Sequence, residues 1–187
     1  MHRWKEIFQL IRLKGKQDYI GEPVSQIEHM QQAAYFAQVS QARVPLILGA
    51  FFHDIGHLCA PDTAAQMDGL GVLRHEVIGA DYLRERGLRG DVADLVELHV
   101  QAKRYLCFAQ KGYYERLSSA SRGTLNFQGG KMDETDARRF EAHPLFRDVL
   151  RLRVWDEKAK IVDGPVVSLS KLESWTEEYY EENQAWD

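Results

Sequence analysis

Residues 50–57 read AFFHDIGH, and the placing of His53-Asp54 at the end of an apolar run decides how the rest of the chain is read. The run extends from Val44 to Phe52 and is interrupted only by Pro45. Proline is accepted in a first helical turn, because the N–H it lacks has no helical partner there. The pattern therefore predicts a helix from about Val44 through His53 towards Cys59. It carries an imidazole and a carboxylate at adjoining positions, with a second imidazole, His57, one turn further on the same face.

Helical periodicity holds on both sides of this stretch. Trp4, Ile7, Phe8 and Ile11 give an amphipathic helix that stops near Gly15. After Pro23-Val24-Ser25, with Ser25 as a candidate cap, Ile27, Met30, Ala33, Ala34 and Ala37 mark another. Turn-forming residues between Asp62 and Gly71 predict a loop. Beyond it the pattern predicts helices from about Val72 to Arg86 and, with Asp91 as N-cap, from there to about Leu106. Further helices are expected over about 113–127, 133–143, 145–156 and 170–182. Nothing alternates with period two for long enough to predict a strand. The expected fold is all-α, one helical domain over residues 1–187.

With 187 residues and 44% hydrophobic content the chain can bury a substantial core, and 28% charged residues fit a water-soluble globule. No stretch approaches the ~18 consecutive apolar residues of a membrane helix. The start, MHRWKEIFQL, lacks a secretory pattern. Two cysteines, Cys59 and Cys107, are too few for a disulfide framework and fit a reducing compartment, so a cytoplasmic protein is expected. A net charge of -4 with scattered basic residues speaks against a nucleic-acid groove and leaves room for a small anionic substrate.

Seven histidines are present. His2 lies near the terminus and His143 precedes a proline, which suits surface positions. His29, His53, His57, His75 and His99 fall on or near the apolar sides of predicted helices. A single histidine there is usually a hydrogen-bonded core residue. Several helices carrying them, with Asp54 beside His53, point instead to a metal centre between facing helices. Imidazole and carboxylate suit iron, manganese or zinc, and the lack of paired cysteines speaks against a structural zinc. Four histidines and two carboxylates suffice for two ions if one carboxylate bridges. Spacing alone does not identify which aspartate completes the set.

His29, His53-Asp54 and Asp156 match the H…HD…D signature of the HD-domain superfamily, a helical bundle whose ligands come from separate helices. Longer strings extend the likeness along almost the whole chain: QDYIGEPVSQIEH (17–29), HDIGHLC (53–59), LRHEVIGADYL (73–83), HVQAKRYL (99–106), SSASRGTLNFQGGKMDE (118–134) and RVWDEKAK (153–160). They resemble the PhnZ/TmpB-type HD-domain oxygenases, mixed-valent di-iron enzymes that cleave the carbon–phosphorus bond of 1-hydroxyphosphonates. The resemblance implies a buried dinuclear site in which His29, His53, Asp54, His75, His99 and Asp156 hold two iron ions, Fe(II)/Fe(III). Asp54 bridges them, and dioxygen is the co-substrate. Tyr19 is implied to cover an open position on one iron until substrate displaces it. Glu22 is implied to meet the substrate's ammonium group, and His57 to lie near its hydroxyl. Lys103, Ser121, Thr124 and Arg153 match the phosphonate-binding set. The implied substrate is a (R)-1-hydroxy-2-aminoethylphosphonate, with a free or N-trimethylated amine, and the products are phosphate with glycine or glycine betaine.

Helix geometry agrees with these assignments. Lys103 lies one turn after His99, Arg153 one turn before Asp156, and Ser121 and Thr124 can present two hydroxyls together. A guanidinium fork and a compact ammonium suit a dianionic phosphonate. Taken singly, Lys103 and Arg153 read as surface charges, Ser121 and Thr124 as capping or back-bonding hydroxyls, and Tyr19 and Glu22 as parts of an exposed turn. Tyr113, Tyr114, Phe127 and Trp155 read as core rather than a cation-binding cage, and Asp133 and Glu134 as solvent-exposed. The rival activity is metal-dependent phosphohydrolysis by an HD domain, in which a metal-bound hydroxide attacks phosphorus with the same six ligands. Tyr19-Ile20-Gly21-Glu22 favours the oxygenase, since a hydrolase has no evident use for a tyrosine guarding an iron. A non-catalytic sensing module would show a broken ligand set, and none is visible. Oligomeric state is not legible.

Overall fold

A computed structural model describes residues 2–19 and 21–184. In order along the chain its helices are α1 (Lys5–Lys14), α2 (Gln26–Val39), α3 (Val44–Phe52), α4 (Gly56–Cys59), α5 (His75–Glu85), α6 (Asp91–Ala109), α7 (Tyr113–Arg116), α8 (Ser119–Phe127), α9 (Glu134–Glu141), α10 (Phe146–Lys158) and α11 (Leu169–Gln184). Among the described residues there is no strand; two isolated antiparallel bridges join Asp18 to Ser25 and Gln66 to Val72. The all-α expectation holds. Among the described residues no helix is long and apolar enough to cross a membrane.

α3 is the axis. Its residues are buried from Leu46 to Phe52, and Pro45 sits in its first turn as expected. It packs against α2, α6, α10 and α11, while α5 lies on α4 and α6. Phe51 and Phe52 meet Phe8 of α1 at ring separations of 6.0 and 5.9 Å, closing the far side of the core. α2 begins where Ser25 predicts: its hydroxyl accepts from the Glu28 N–H, and the Glu28 carboxylate accepts from the Ser25 N–H at 2.7 Å. Both ends of the exchange satisfy donors that the first helical turn leaves free.

Four boundaries differ from expectation. The helix entered at Val44 stops at Phe52 instead of continuing to Cys59, and the chain tightens through i→i+3 bonds, Ile55 N–H to Phe52 O at 2.9 Å and His57 N–H to Asp54 O at 3.0 Å. The cause is tertiary. The start of α5 lies directly on Gly56, where an added Cβ would stand 1.9 Å from the His75 carbonyl oxygen. α5 itself starts at His75, later than Val72, because Arg74 is left-handed at φ 60°. The segment expected as one helix over 113–127 is two: Leu117 is extended, and Ser118 caps α8 by accepting from the Ser121 N–H at 3.2 Å. Asp91 is the first residue of α6 rather than its cap, which is Gly90 at φ 63°. Tyr113 and Trp155 are core as expected, but Tyr114 and Phe127 are exposed.

Candidate metal centre and anion pocket

Six buried side chains converge from five places: His29 from α2, His53 and Asp54 from the α3–α4 turn, His75 from the first residue of α5, His99 from α6 and Asp156 from α10. They form two groups that share Asp54, namely His29-His53-Asp54 and Asp54-His75-His99. Asp54 divides its oxygens between them. Oδ2 lies 3.5 Å from His29 Nε2 and 3.4 Å from His53 Nε2, and Oδ1 lies 3.3 Å from His75 Nε2 and 3.5 Å from His99 Nε2. Asp156 Oδ1 adds to the first group, at 3.5 Å from His29 Nε2 and 3.8 Å from His53 Nε2.

The donor chemistry fits two divalent cations. Each imidazole turns Nδ1 to a backbone carbonyl: His29 to Ala159 at 2.8 Å, His53 to Ala50 at 2.8 Å, His75 to Val72 at 3.2 Å and His99 to Val96 at 2.7 Å. A carbonyl only accepts, so Nδ1 carries the proton and a neutral ring presents a bare Nε2. Yet the Nε2 atoms face one another, His29 with His53 at 3.0 Å and His75 with His99 at 3.1 Å. Two lone pairs at that range repel unless a proton or a cation serves both. One cation per group satisfies all four rings and both aspartates.

Protein charges alone leave the site tense. Burial pulls the His53 pKa down, but Asp54 and Asp156 overcome it and lift it to about 9. Burial and His75 hold His99 well below its usual value. Against the upward pull of burial, His53 and the histidine hydrogen bonds hold Asp54 low, and Arg153, His53 and His29 do the same for Asp156.

A cavity of about 60 Å³ opens onto the cluster and includes Tyr19, His57, Lys103, Ser121, Thr124 and Arg153 in its wall. Lys103 and Arg153, each 5% exposed, are not the surface charges that they resemble singly. Lys103 Nζ donates to Thr124 Oγ1 at 2.7 Å and to the Ser121 carbonyl at 3.4 Å. Burial, then the Arg153 charge, pushes its pKa down to about 7. Arg153 donates from Nη1 to Asp156 Oδ2 at 2.5 Å and from Nε to Glu157 Oε1 and to the Tyr113 hydroxyl, each at 3.0 Å. Its Nη2 is buried without a hydrogen-bond partner among the described residues. A buried guanidinium with one unused arm, beside a poorly solvated ammonium, offers the donors that an anion would need.

His57 and Tyr19 flank the cluster without joining either group. His57 stacks on His75 with ring centroids 4.1 Å apart, and its Nδ1 accepts from the Val72 N–H at 3.2 Å. Burial and the His75 charge push its pKa down to about 3, so the ring is neutral and its Nε2 carries a hydrogen to donate. Tyr19 stacks on His29 at 4.0 Å and 13°, and burial, then Asp54 and Asp156, raise its pKa well above the usual value. Ile20, beside it, lies outside the described residues.

Glu22 also lines the cavity, but its carboxylate is already engaged: Lys160 Nζ donates to Glu22 Oε1 at 2.5 Å. Lys160 was missed by sequence reasoning, as were Gln26 and Gln128, which share the cavity wall. The available signal for Lys160 was its place in the RVWDEKAK string, four residues after Asp156. Both cysteines are free, and burial pushes the Cys59 thiol up to about 12. His2 is exposed as expected, His143 half-buried, and Asp133 caps α9 away from the cavity.

Comparison with known proteins agrees with this geometry. Residues 27–127 match the HD domain. The chain is 39% identical over 150 residues to a [1-hydroxy-2-(trimethylamino)ethyl]phosphonate dioxygenase (glycine-betaine-forming) of Leisingera caerulea, covering 80% of this chain and 76% of that protein. It is 35% identical over 176 residues to a hydroxymethylphosphonate dioxygenase of Gimesia maris, covering 94% and 87%. It is also 39% identical over 178 residues to the uncharacterized protein L432 of Acanthamoeba polyphaga mimivirus, covering 95% and 81%. With the match spanning just over half the chain and taking in His29, His53, Asp54, His75 and His99, the protein belongs to the HD-domain family.

Proposed function

We propose that the protein is an iron-dependent oxygenase that cleaves the carbon–phosphorus bond of a (R)-1-hydroxy-2-aminoethylphosphonate, with a free or N-trimethylated amine. Phosphate and glycine or glycine betaine are the products. The observation that carries the reading is the pairing of an anion receptor, Lys103 and Arg153 with its unused Nη2, with two histidine groups sharing Asp54 in one cavity. The two relatives named as phosphonate dioxygenases support it.

His29, His53 and Asp156 would hold one iron and His75 and His99 the other, with Asp54 between them. The irons, Fe(II)/Fe(III), supply oxygen activation and electron transfer when bound. The chain's own residues bind and orient. Arg153 Nη2, Lys103 Nζ and the Thr124 and Ser121 hydroxyls receive the phosphonate oxygens. His57 Nε2–H donates to the substrate hydroxyl, fixing the carbinol carbon towards the cluster. Tyr19, stacked on His29, shields the first group until substrate takes its place. Held in this way, the carbinol loses freedom before reaction, which is the larger part of what positioning contributes.

The overall conversion balances without an external reductant. R–CH(OH)–PO₃H₂ and O₂ give R–COOH and H₃PO₄: the C–H and C–P bonds break, and carbon and phosphorus each gain one oxygen. One dioxygen is therefore consumed for each phosphate released. The test is simultaneous oxygen uptake and phosphate release from 1-hydroxy-2-aminoethylphosphonate and its N-trimethyl analogue. Equal amounts of both, with no phosphate under argon, support the oxygenase. Unchanged phosphate release under argon replaces it with the phosphohydrolase reading.

A further inference from the structure

We propose that Lys160 sets the protein's selectivity for charge at the second carbon of its substrate, by acting as a resident counter-cation for Glu22. This rests on the reading of the cavity as a hydroxyphosphonate site. The backbone around Lys160 is held on both sides by α2. The Ala159 carbonyl accepts from His29 Nδ1 at 2.8 Å, Ile161 N–H donates to Gln32 Oε1 at 3.1 Å, and Gln32 Nε2 donates to the Ile161 carbonyl at 2.8 Å. The side chain thus starts from a fixed point next to a candidate metal ligand. Its ammonium meets Glu22 Oε1 at 2.5 Å and Ser118 Oγ at 3.3 Å, and lies 5.9 Å from the centre of the Tyr19 ring.

Both partners of the ion pair are largely withdrawn from water, with side-chain exposures of 15% for Lys160 and 9% for Glu22, and both line the cavity that contains Lys103 and Arg153. Gln26 Oε1, buried and also in that wall, has no hydrogen-bond partner among the described residues. This part of the cavity therefore offers acceptors, Glu22 and Gln26, of which the charged one is taken by the chain itself.

The consequence for binding is a competition. A substrate carrying an ammonium must displace Lys160 from Glu22 Oε1 or share the carboxylate with it, and displacement exchanges one ammonium for another at nearly equal Coulomb energy. A substrate lacking a cation leaves the pair intact. Its dianionic phosphonate then meets a cavity in which Glu22 is already neutralised, instead of a bare carboxylate that would repel it. Lys160 therefore narrows the advantage that Glu22 alone would give a cationic substrate, and the pocket admits substrates with and without the amine.

The test is anaerobic calorimetry on iron-loaded protein, using 1-hydroxy-2-aminoethylphosphonate and hydroxymethylphosphonate as probes, for the wild type and for Lys160→Met. Binding is read without turnover, so a failed oxygenase assay leaves this comparison intact. The ratio of the two affinities is expected to move at least about tenfold towards the amine in Lys160→Met. In the Glu22→Gln/Lys160→Met double variant the shift should vanish, because the carboxylate it depends on is gone. Lys160→Gln, which keeps a polar side chain, serves if Lys160→Met fails to fold. A ratio that is unchanged or moves towards hydroxymethylphosphonate overturns the proposal. So does a shift that survives the loss of Glu22, or an absence of binding by either probe.

Discussion

His29 and His53 aim their Nε2 atoms at each other across 3.0 Å while each keeps Nδ1 on a backbone carbonyl. That contact is tolerable only with a shared positive charge, and in the protein alone the charge is a proton, which Asp54 and then Asp156 hold on His53 by lifting its pKa to about 9 against burial. Metal binding must expel it. Below about pH 9 the affinity for a divalent ion is therefore expected to fall by up to about tenfold per pH unit, with a proton released on binding. Above pH 9 this dependence is absent. Zinc titration in lightly buffered solution, followed with a pH indicator, checks it; binding near pH 7 with no proton release contradicts the tautomers assigned here.

Lys103 gives the opposite kind of proton linkage. Its pKa is pushed down to about 7 in the free cavity, and a bound phosphonate dianion raises it again. Affinity is then full where Lys103 is already charged and declines as pH rises above about 7, since binding must bring a proton. Bound metal cations act in the same direction as Arg153 and move the onset lower. Calorimetry between about pH 7.5 and 9.5, where the phosphonate is already dianionic, should show proton uptake in the wild type. It should show none in Lys103→Met.

Arg153 links the anion site to the metal site through its bond to Asp156. Lysine keeps the charge but cannot hold Asp156 and present a second arm to a ligand at once. Arg153→Lys is expected to raise the KM for a hydroxyphosphonate by about 10- to 100-fold, the loss of one or two charge-assisted hydrogen bonds. A KM within about twofold of wild type would remove Nη2 from the receptor.

Gly56 is fixed by packing. An added Cβ would lie 1.9 Å from the His75 carbonyl oxygen, a backbone atom that cannot swing aside. Gly56→Ala must push the first turn of α5 away and take His75 with it. Unfolding free energy is expected to fall by more than about 3 kcal/mol, with loss of metal from the His75-His99 group ahead of the other. Gly79→Ala, where the nearest contact is 3.0 Å, is the milder comparison. Denaturant unfolding and metal content measured on both variants decide it.

The long helices were legible because their burial follows one periodic face, as in α1 and α2. The break after Phe52 was not, because Ile55 and Leu58 keep the apolar pattern running while the interruption comes from α5 pressing on Gly56. The six clustered side chains were legible mainly through resemblance: spacing could not choose Asp156, which meets His29 only through the packing of α10 on α2. The Glu22–Lys160 pair was not legible, because its two members stand 138 positions apart in the sequence and meet only through the fold. Tyr114 and Phe127 read as core from their type alone, yet lie on faces that nothing covers among the described residues.

In the proposed site one carboxylate, Asp54, serves two metals, and iron analysis with EPR spectroscopy decides whether it does. Protein loaded with iron and partly oxidised is expected to hold about two irons per chain and to give the signal of a coupled Fe(II)/Fe(III) pair. Asp54→Ala should lose that coupling. A single iron per chain, or two that give no coupled signal at any state of oxidation, would contradict the shared site.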